Sequence, residues 1–165
     1  MINTFTDENY QELISWIDSP EILLQFAGPK YIFPLTEEQL REDLADPFRF
    51  AFTVCLENSP EIIGHAQLYA KPQSISLGRI IIKSEEYRGK GLGRLLVNEL
   101  LSFGFSNFEK QMAELNVYDW NLSAIKCYES VGFKFRTEGK SEVQIGNKTW
   151  VSRNMILYRE DFSNF

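Results

Sequence analysis

The first third of the chain repeats apolar residues at helical spacing. Tyr10, Leu13, Ile14 and Ile17 recur every three or four positions behind Thr6 and Asp7, which predicts a capped helix after a short strand at Met1 to Phe5. Ser19-Pro20-Glu21 supplies a cap, a proline for the first helical position and an acid for the first turn. A second short helix follows, and Gly28-Pro29 must end it. Thr36-Glu37-Glu38-Gln39 reads as a capping box opening a third.

The period then changes. Arg49 to Leu56, Glu61 to Ala70 and Gln73 to Lys83 are β-branched, aromatic and partly alternating, with Asn58-Ser59-Pro60 and Lys71-Pro72 as turns. These predict three strands in an antiparallel meander. Leu92, Leu95, Leu96, Leu100 and Phe103 then form one face of a helix running to about Asn107. Met112 to Tyr118 is a strand that must run parallel to the one before that helix, because such crossovers are right-handed and parallel. Leu122 to Val131 is helical with Gly132 as its cap, and Lys134 to Ile145 and Lys148 to Tyr158 pair through a tight Gly146-Asn147 hairpin. The fold class is mixed α+β: one domain over residues 1–165, a mostly antiparallel sheet with one βαβ unit, and flanking helices.

Composition narrows the function. A chain of 165 residues buries about 70% of the surface it exposes unfolded, enough for its own core. There is no apolar run long enough to span a membrane, and the first eight residues lack the basic and apolar stretches of a signal peptide. A cytoplasmic protein without a membrane partner is expected. Two cysteines, one histidine and no CxxC make a disulfide framework or a metal site unexpected. A net charge of −6 argues against nucleic acid as a partner. That charge is partitioned, however: residues 1–62 carry −9 and residues 63–165 carry +3.

The chemistry concentrates in Glu86-Tyr87-Arg88-Gly89-Lys90-Gly91-Leu92-Gly93-Arg94, between a strand and a helix. Three glycines in five residues let the backbone turn sharply with its N–H groups uncovered, and the helix aims its positive end at the same place. Such a loop binds phosphate. Arg88, Lys90 and Arg94 add positive charge. The spacing fits neither a Walker loop, GxxxxGK[ST], nor a dinucleotide loop, GxGxxG.

What the loop matches is R-x-x-G-x-G, Arg88 to Gly93, and it resembles the pyrophosphate-binding motif of the GNAT superfamily of acetyl-CoA-dependent N-acetyltransferases. A second match lies downstream, where Leu115 to Phe133 resembles that family's L-x-V-x-x-x-N-x-x-A-x-x-x-Y-x-x-x-G-F segment. The start, Ile14 to Glu21, looks like the branch that contains ribosomal-protein N-terminal acetyltransferases. The resemblance implies transfer of acetyl from acetyl-CoA, the cosubstrate, to a primary amine on a small molecule or a protein N-terminus. It also implies residue roles. Backbone N–H groups of Arg88, Gly89, Lys90, Gly91, Leu92 and Gly93, with Arg94 close by, would hold the coenzyme pyrophosphate. Backbone groups of Ile81, Ile82 and Lys83 would pair with pantetheine as an added strand and offer an N–H to the thioester oxygen. Asn121 would hydrogen-bond the pantetheine arm, and Tyr128 would be the general acid at the sulfur.

Two departures bear on mechanism. The family often carries V-x-P-x-[YW] before the arginine, whereas this chain has Ile82-Lys83-Ser84-Glu85-Glu86-Tyr87, without the proline. Any of Ile81, Ile82 or Lys83 is therefore a candidate to face the thioester. Some protein N-terminal acetyltransferases place a glutamate base where this chain has Asn116, which cannot accept the proton. An α-amine of pKa about 8 costs roughly 1.4 kcal/mol to neutralise at pH 7, and a lysine near 10.4 about 4.6 kcal/mol. An amine of low pKa is thus the easier acceptor; His65 and Glu114 are candidate bases acting through water, although a histidine in a strand is more often a satisfied sheet residue. Aromatics around Gly28-Pro29 are candidates to wall the acceptor pocket, and the acidic first half is expected to draw a cationic amine. A catalytically silent acyl-CoA-binding regulatory module is the alternative, and a ligand-free interaction domain a third. A homodimer is compatible with the sequence.

Overall fold

Local capping chemistry sets where the N-terminal helices begin. The computed structural model describes residues 1–56, 59–87 and 89–162; Asn58 of the first predicted turn and Arg88 of the glycine-rich loop lie outside the described residues. The Thr6 backbone N–H donates to Asn9 Oδ1 at 2.8 Å, opening a 3-10 turn that runs into α1, Tyr10–Ser15. Ser19 Oγ accepts from Ile22 N at 3.3 Å to start α2, Pro20–Ala27, which ends at Gly28 with φ +62°. Thr36 Oγ1 accepts from Gln39 N at 3.3 Å to start α3, Glu37–Leu44. The capping box does not close, because Gln39 has another use. Its amide bonds Ile32 N, Ile32 O and Pro34 O, so it pins the loop before α3.

The strands are β1, Ile2–Thr4; β2, Arg49–Cys55; β3, Ile62–Ala70; β4, Ile75–Ile82; β5, Met112–Tyr118; β6, Lys134–Ile145; and β7, Lys148–Tyr158. They form a sheet of order β1-β2-β3-β4-β5-β7-β6. β4 and β5 are parallel, registering Ile75 with Ala113 and Leu77 with Leu115, while β1–β2, β2–β3, β5–β7 and β6–β7 are antiparallel. The expected mixed sheet with one parallel crossover is what the chain adopts.

By contact density the chain forms two units. The first comprises Met1–Tyr69 and Gly78–Leu92, and the second Ala70–Leu77 and Gly93–Phe165. In the first, Leu13, Ile17, Leu23, Phe26, Leu35 and Leu40 are buried under α1 to α3. At about 1.5–3 kcal/mol for each fully buried large apolar side chain, this core offsets the cost of ordering three short helices. β3 and β4 approach unusually closely in this unit. A Cβ on Gly64 would lie 2.5 Å from the Ile81 carbonyl oxygen, so only glycine fits at that position.

In the second unit, α4 runs over Leu92–Asn107 and α5 over Leu122–Val131, the latter closed by Gly132 at φ +110°. The face of α4 differs from the one predicted. Leu96 and Leu100 are buried as expected, but Val97, Leu101, Gly104 and Phe105 complete the stripe, and Leu95 is 53% exposed. α4 is apolar around most of its circumference, so spacing alone could not single out the buried side. β6, at the end of the strand order, is almost wholly exposed; its register shifts between Phe135 and Lys140, where Gly139 has φ +92°.

Candidate functional site

The glycine-rich loop has the geometry its composition demands. Gly89 and Gly91 have φ of +72° and +78°, the left-handed region that side chains disfavour. Among the described residues, and flanking residues apart, no heavy atom lies within 4 Å of where either Cβ would stand, so this face of the loop is open to a ligand. Directly after it begins the sixteen-residue α4, whose first-turn N–H groups and dipole favour an anion. Lys90 and Arg94 are exposed at this end. The approach to the loop is fixed by Glu61, which accepts from Lys83 Nζ at 2.8 Å and from Tyr87 Oη at 3.1 Å.

At the end of β4 the three candidate amides separate. Lys83 N–H donates to Ile63 O at 2.9 Å, and its ammonium is bound to Glu61. Strand alternation turns Ile81 towards β3 with it and Ile82 to the opposite side. Lys83 is thereby engaged through both its amide and its side chain.

α5 carries the second motif. Asn121 is its N-cap: Oδ1 accepts from Ala124 N at 3.3 Å and Ser123 Oγ at 3.1 Å, which leaves Nδ2 as the donor end of the side chain. Tyr128 lies two turns on, its ring edge-to-face with Phe133 at 6.2 Å. Burial pushes its phenol well above the usual 10, so it stays protonated across the physiological range. Its neighbour Cys127 is a thiol raised by burial rather than a nucleophilic thiolate. A Cβ on Gly93 would be 3.2 Å from Cys127 Sγ, so the first turn of α4 packs on α5 one residue from Tyr128.

The two candidate bases are occupied, and His65 is the enclosed sheet histidine that its place in a strand favours. Glu114 accepts from Ser74 Oγ at 2.7 Å and Lys71 Nζ at 3.0 Å; burial works to raise its pKa, but these bonds prevail and hold it below the usual carboxylate value. Asn116 Oδ1 accepts from Asn154 Nδ2 at 3.1 Å. His65 is 1% exposed, edge-to-face with Phe5, and beside Gln67 Nε2 at 3.2 Å. Burial, with the charge of Arg79, lowers its pKa to about 3. It is a neutral, enclosed core residue.

His65 instead sets an acid limit on stability. Its folded pKa is depressed, so its contribution is complete above about pH 6.5 and is lost as pH falls towards 3, where the unfolded chain takes up a proton that the folded one refuses. The slope is about 1.4 kcal/mol per pH unit from this group, summing to roughly 5 kcal/mol. Urea midpoints measured from pH 7 to pH 4.5 should therefore fall less steeply in His65→Leu than in the wild type. Parallel curves would overturn the assignment.

A polar cluster in the first unit was not anticipated. Asp43 on α3, 6% exposed, is 3.2 Å from Arg49 Nε, 3.3 Å from Arg79 Nη2 and 2.9 Å from Tyr31 Oη, which donates to it. Arg79 Nη1 also donates to Gln67 Oε1 at 2.9 Å, and its guanidinium lies over the Tyr31 ring. Arg79 has φ +48°, a strained value for a bulky side chain in a strand. The available signal was Arg49 at the start of β2, with Gln67 and Arg79 inside the largely apolar β3 and β4.

Residues 11–133 match the acetyltransferase (GNAT) family. The chain belongs to the GNAT family. This GNAT domain is 30% identical over 98 residues to the SPbeta prophage-derived uncharacterized N-acetyltransferase YokL of Bacillus subtilis, a match covering 59% of this chain but only about half, 52%, of that protein. It is 28% identical over 154 residues to the acetyltransferase PseH of Campylobacter jejuni, covering 84% of this chain and 87% of that one. Among solved structures, the spermidine N-acetyltransferase of Vibrio cholerae in complex with CoA and spermine superposes with a TM-score of 0.80 at 22% identity, over 98% of this chain and 96% of that one. The GNAT match contains both motifs and stops before the β6–β7 hairpin. Among the described residues of this GNAT domain no helix is long and apolar enough to cross a membrane, and no group of His, Cys, Asp and Glu is arranged to hold a metal.

Proposed function

We propose that the 165 residues act as one N-acetyltransferase domain that passes acetyl from acetyl-CoA directly to a primary amine, on a small molecule or a protein N-terminus. The observation that carries this reading is the open loop with left-handed Gly89 and Gly91 leading into the α4 N-terminus, in a chain of this family. The loop from Arg88 to Gly93 would hold the pyrophosphate, with Lys90 and Arg94 adding charge. The backbone of Ile82, which faces away from β3, would pair with pantetheine, whereas Ile81 and Lys83 face β3; Asn121 Nδ2 would donate to the pantetheine arm, and the thioester oxygen would take a β4 N–H. The amine nitrogen attacks the thioester carbon, and the tetrahedral oxyanion is stabilised by that N–H. As the carbon–sulfur bond breaks, the leaving thiolate takes the Tyr128 phenolic proton, and the proton released by the amine passes to solvent.

With Glu114 and His65 occupied, the acceptor must arrive largely neutral, which favours an amine of low pKa. The CoA- and spermine-bound neighbour from Vibrio cholerae supports a small-molecule acceptor. The test is thiol release from acetyl-CoA across a panel of polyamines, aminoglycosides, amino acids and N-terminal peptides, with melting temperature followed in parallel. Acetyl-CoA should raise the melting temperature and at least one amine should accelerate thiol release. Stabilisation without turnover would leave a silent acyl-CoA-binding module, and no stabilisation would refute the coenzyme site.

A further inference from the structure

Charges buried together in a folded protein are usually balanced, because an ion out of water without a partner is costly. In the first unit they are not balanced. The side chains of Arg49 and Arg79 are 15% and 10% exposed, and both pair with Asp43; Lys30, at the surface, reaches the same carboxylate at 3.9 Å. Gln67 is neutral, and Tyr31 donates to Asp43 rather than adding negative charge. Among the described residues no second carboxylate lies within ion-pair distance of these three cations. Arg79 Nε is buried without a hydrogen-bond partner among them.

Two independent features mark the cluster as more than a brace for α3. Arg79 is held at φ +48°, a strain that persists only where the surroundings over-determine it and that concentrates at functional sites. Large apolar side chains are also exposed next to the cluster in sequence: Ile32 at 79% and Phe33 at 39% follow Tyr31, and Phe48 at 57% precedes Arg49. Cations of low exposure whose sequence neighbours expose apolar side chains suit a ligand with an acidic group and a carbon skeleton.

We propose that Lys30, Arg49 and Arg79 form a subsite for an anionic group, a carboxylate or a phosphate, carried by the acceptor, with Ile32, Phe33 and Phe48 contacting its apolar part. The inference rests on the amine-acetyltransferase reading and names the acceptor class: an amino acid or a phosphorylated amine rather than a polycation. The surplus positive charge also lowers the pKa of a nearby ammonium, which fits a site whose candidate bases are occupied. The −9 of residues 1–62 pointed towards a cationic acceptor. Those acids lie mainly on the surface, including Glu8, Asp18, Glu21, Glu38 and Glu42, whereas the cluster around Asp43 has a surplus of positive charge.

Two amine pairs that differ only in the acidic group test it: phenylalanine against phenethylamine, and glucosamine 6-phosphate against glucosamine. With saturating acetyl-CoA, which fills the phosphate loop, kcat/KM should favour the acidic member of at least one pair by tenfold or more, and the preferred pair distinguishes carboxylate from phosphate. Arg79→Gln should reduce that preference below about threefold, and Arg79→Lys, which keeps the charge, should retain part of it. Equal use of both members, or a preference unchanged in Arg79→Gln, overturns the proposal. The same compounds are titrated by thermal shift with CoA bound. Stabilisation by the acidic members that is lost in Arg79→Gln, without turnover of any amine, would refute acetyl transfer while leaving the anion subsite standing.

Discussion

Tyr128→Phe should lower kcat by about 100-fold, while the KM for acetyl-CoA changes by less than about threefold. The substitution removes one oxygen and keeps the ring that meets Phe133, so α5 should fold as before. What is lost is a proton donor. Because burial holds the phenol above its ordinary pKa, the wild-type protein keeps that proton throughout the neutral range, and the loss in the variant should be nearly constant from pH 6 to pH 9. Steady-state kinetics at several pH values provide the check. Unchanged turnover would exclude Tyr128 as the acid and leave solvent to protonate the thiolate.

The second large effect concerns the loop. Gly91→Val should weaken CoA binding by about two orders of magnitude, measured by calorimetry. A β-branched residue at φ +78° costs about 1–3 kcal/mol of strain, and relaxing that strain turns the loop amides away from a bound phosphate. Each charge-assisted hydrogen bond lost there costs about 1.5–3 kcal/mol. The position is exposed and, flanking residues apart, no described residue comes within 4 Å of its Cβ, so the apoprotein should melt within a few degrees of the wild type. Unchanged CoA affinity would refute the phosphate role of this loop.

Much of the fold was legible because its punctuation is local. Ser19-Pro20, Thr36, Gly132 and Gly146-Asn147 each act through bonds or dihedrals within a few residues, and the elements they bound begin or end where those residues demand. Both motifs were legible for the same reason. The side of α4 that is buried was not, since a helix apolar on most sides takes its orientation from what packs on it. Nor was the double engagement of Lys83, which depends on Ile63 and Glu61, twenty or more positions away in sequence. The Asp43 cluster was hidden in the same way: its members come from α3, β2, β3, β4 and the loop at Tyr31, and only the folded chain gathers them. A sequence count of charges therefore pointed to one sign of acceptor, and the buried balance points to the other.

Both ends of the strand order are built against unwanted growth. An end strand presents unpaired amides and carbonyls on which another chain could extend the sheet. β1 has three residues, too few to template much pairing. β6 has twelve, but its exposed Lys134, Arg136, Glu138, Lys140 and Glu142 and the break in register at Gly139 make it a poor template for a flat, apolar partner. The long β6–β7 hairpin can thus remain exposed without recruiting copies of itself into a continuous β-structure.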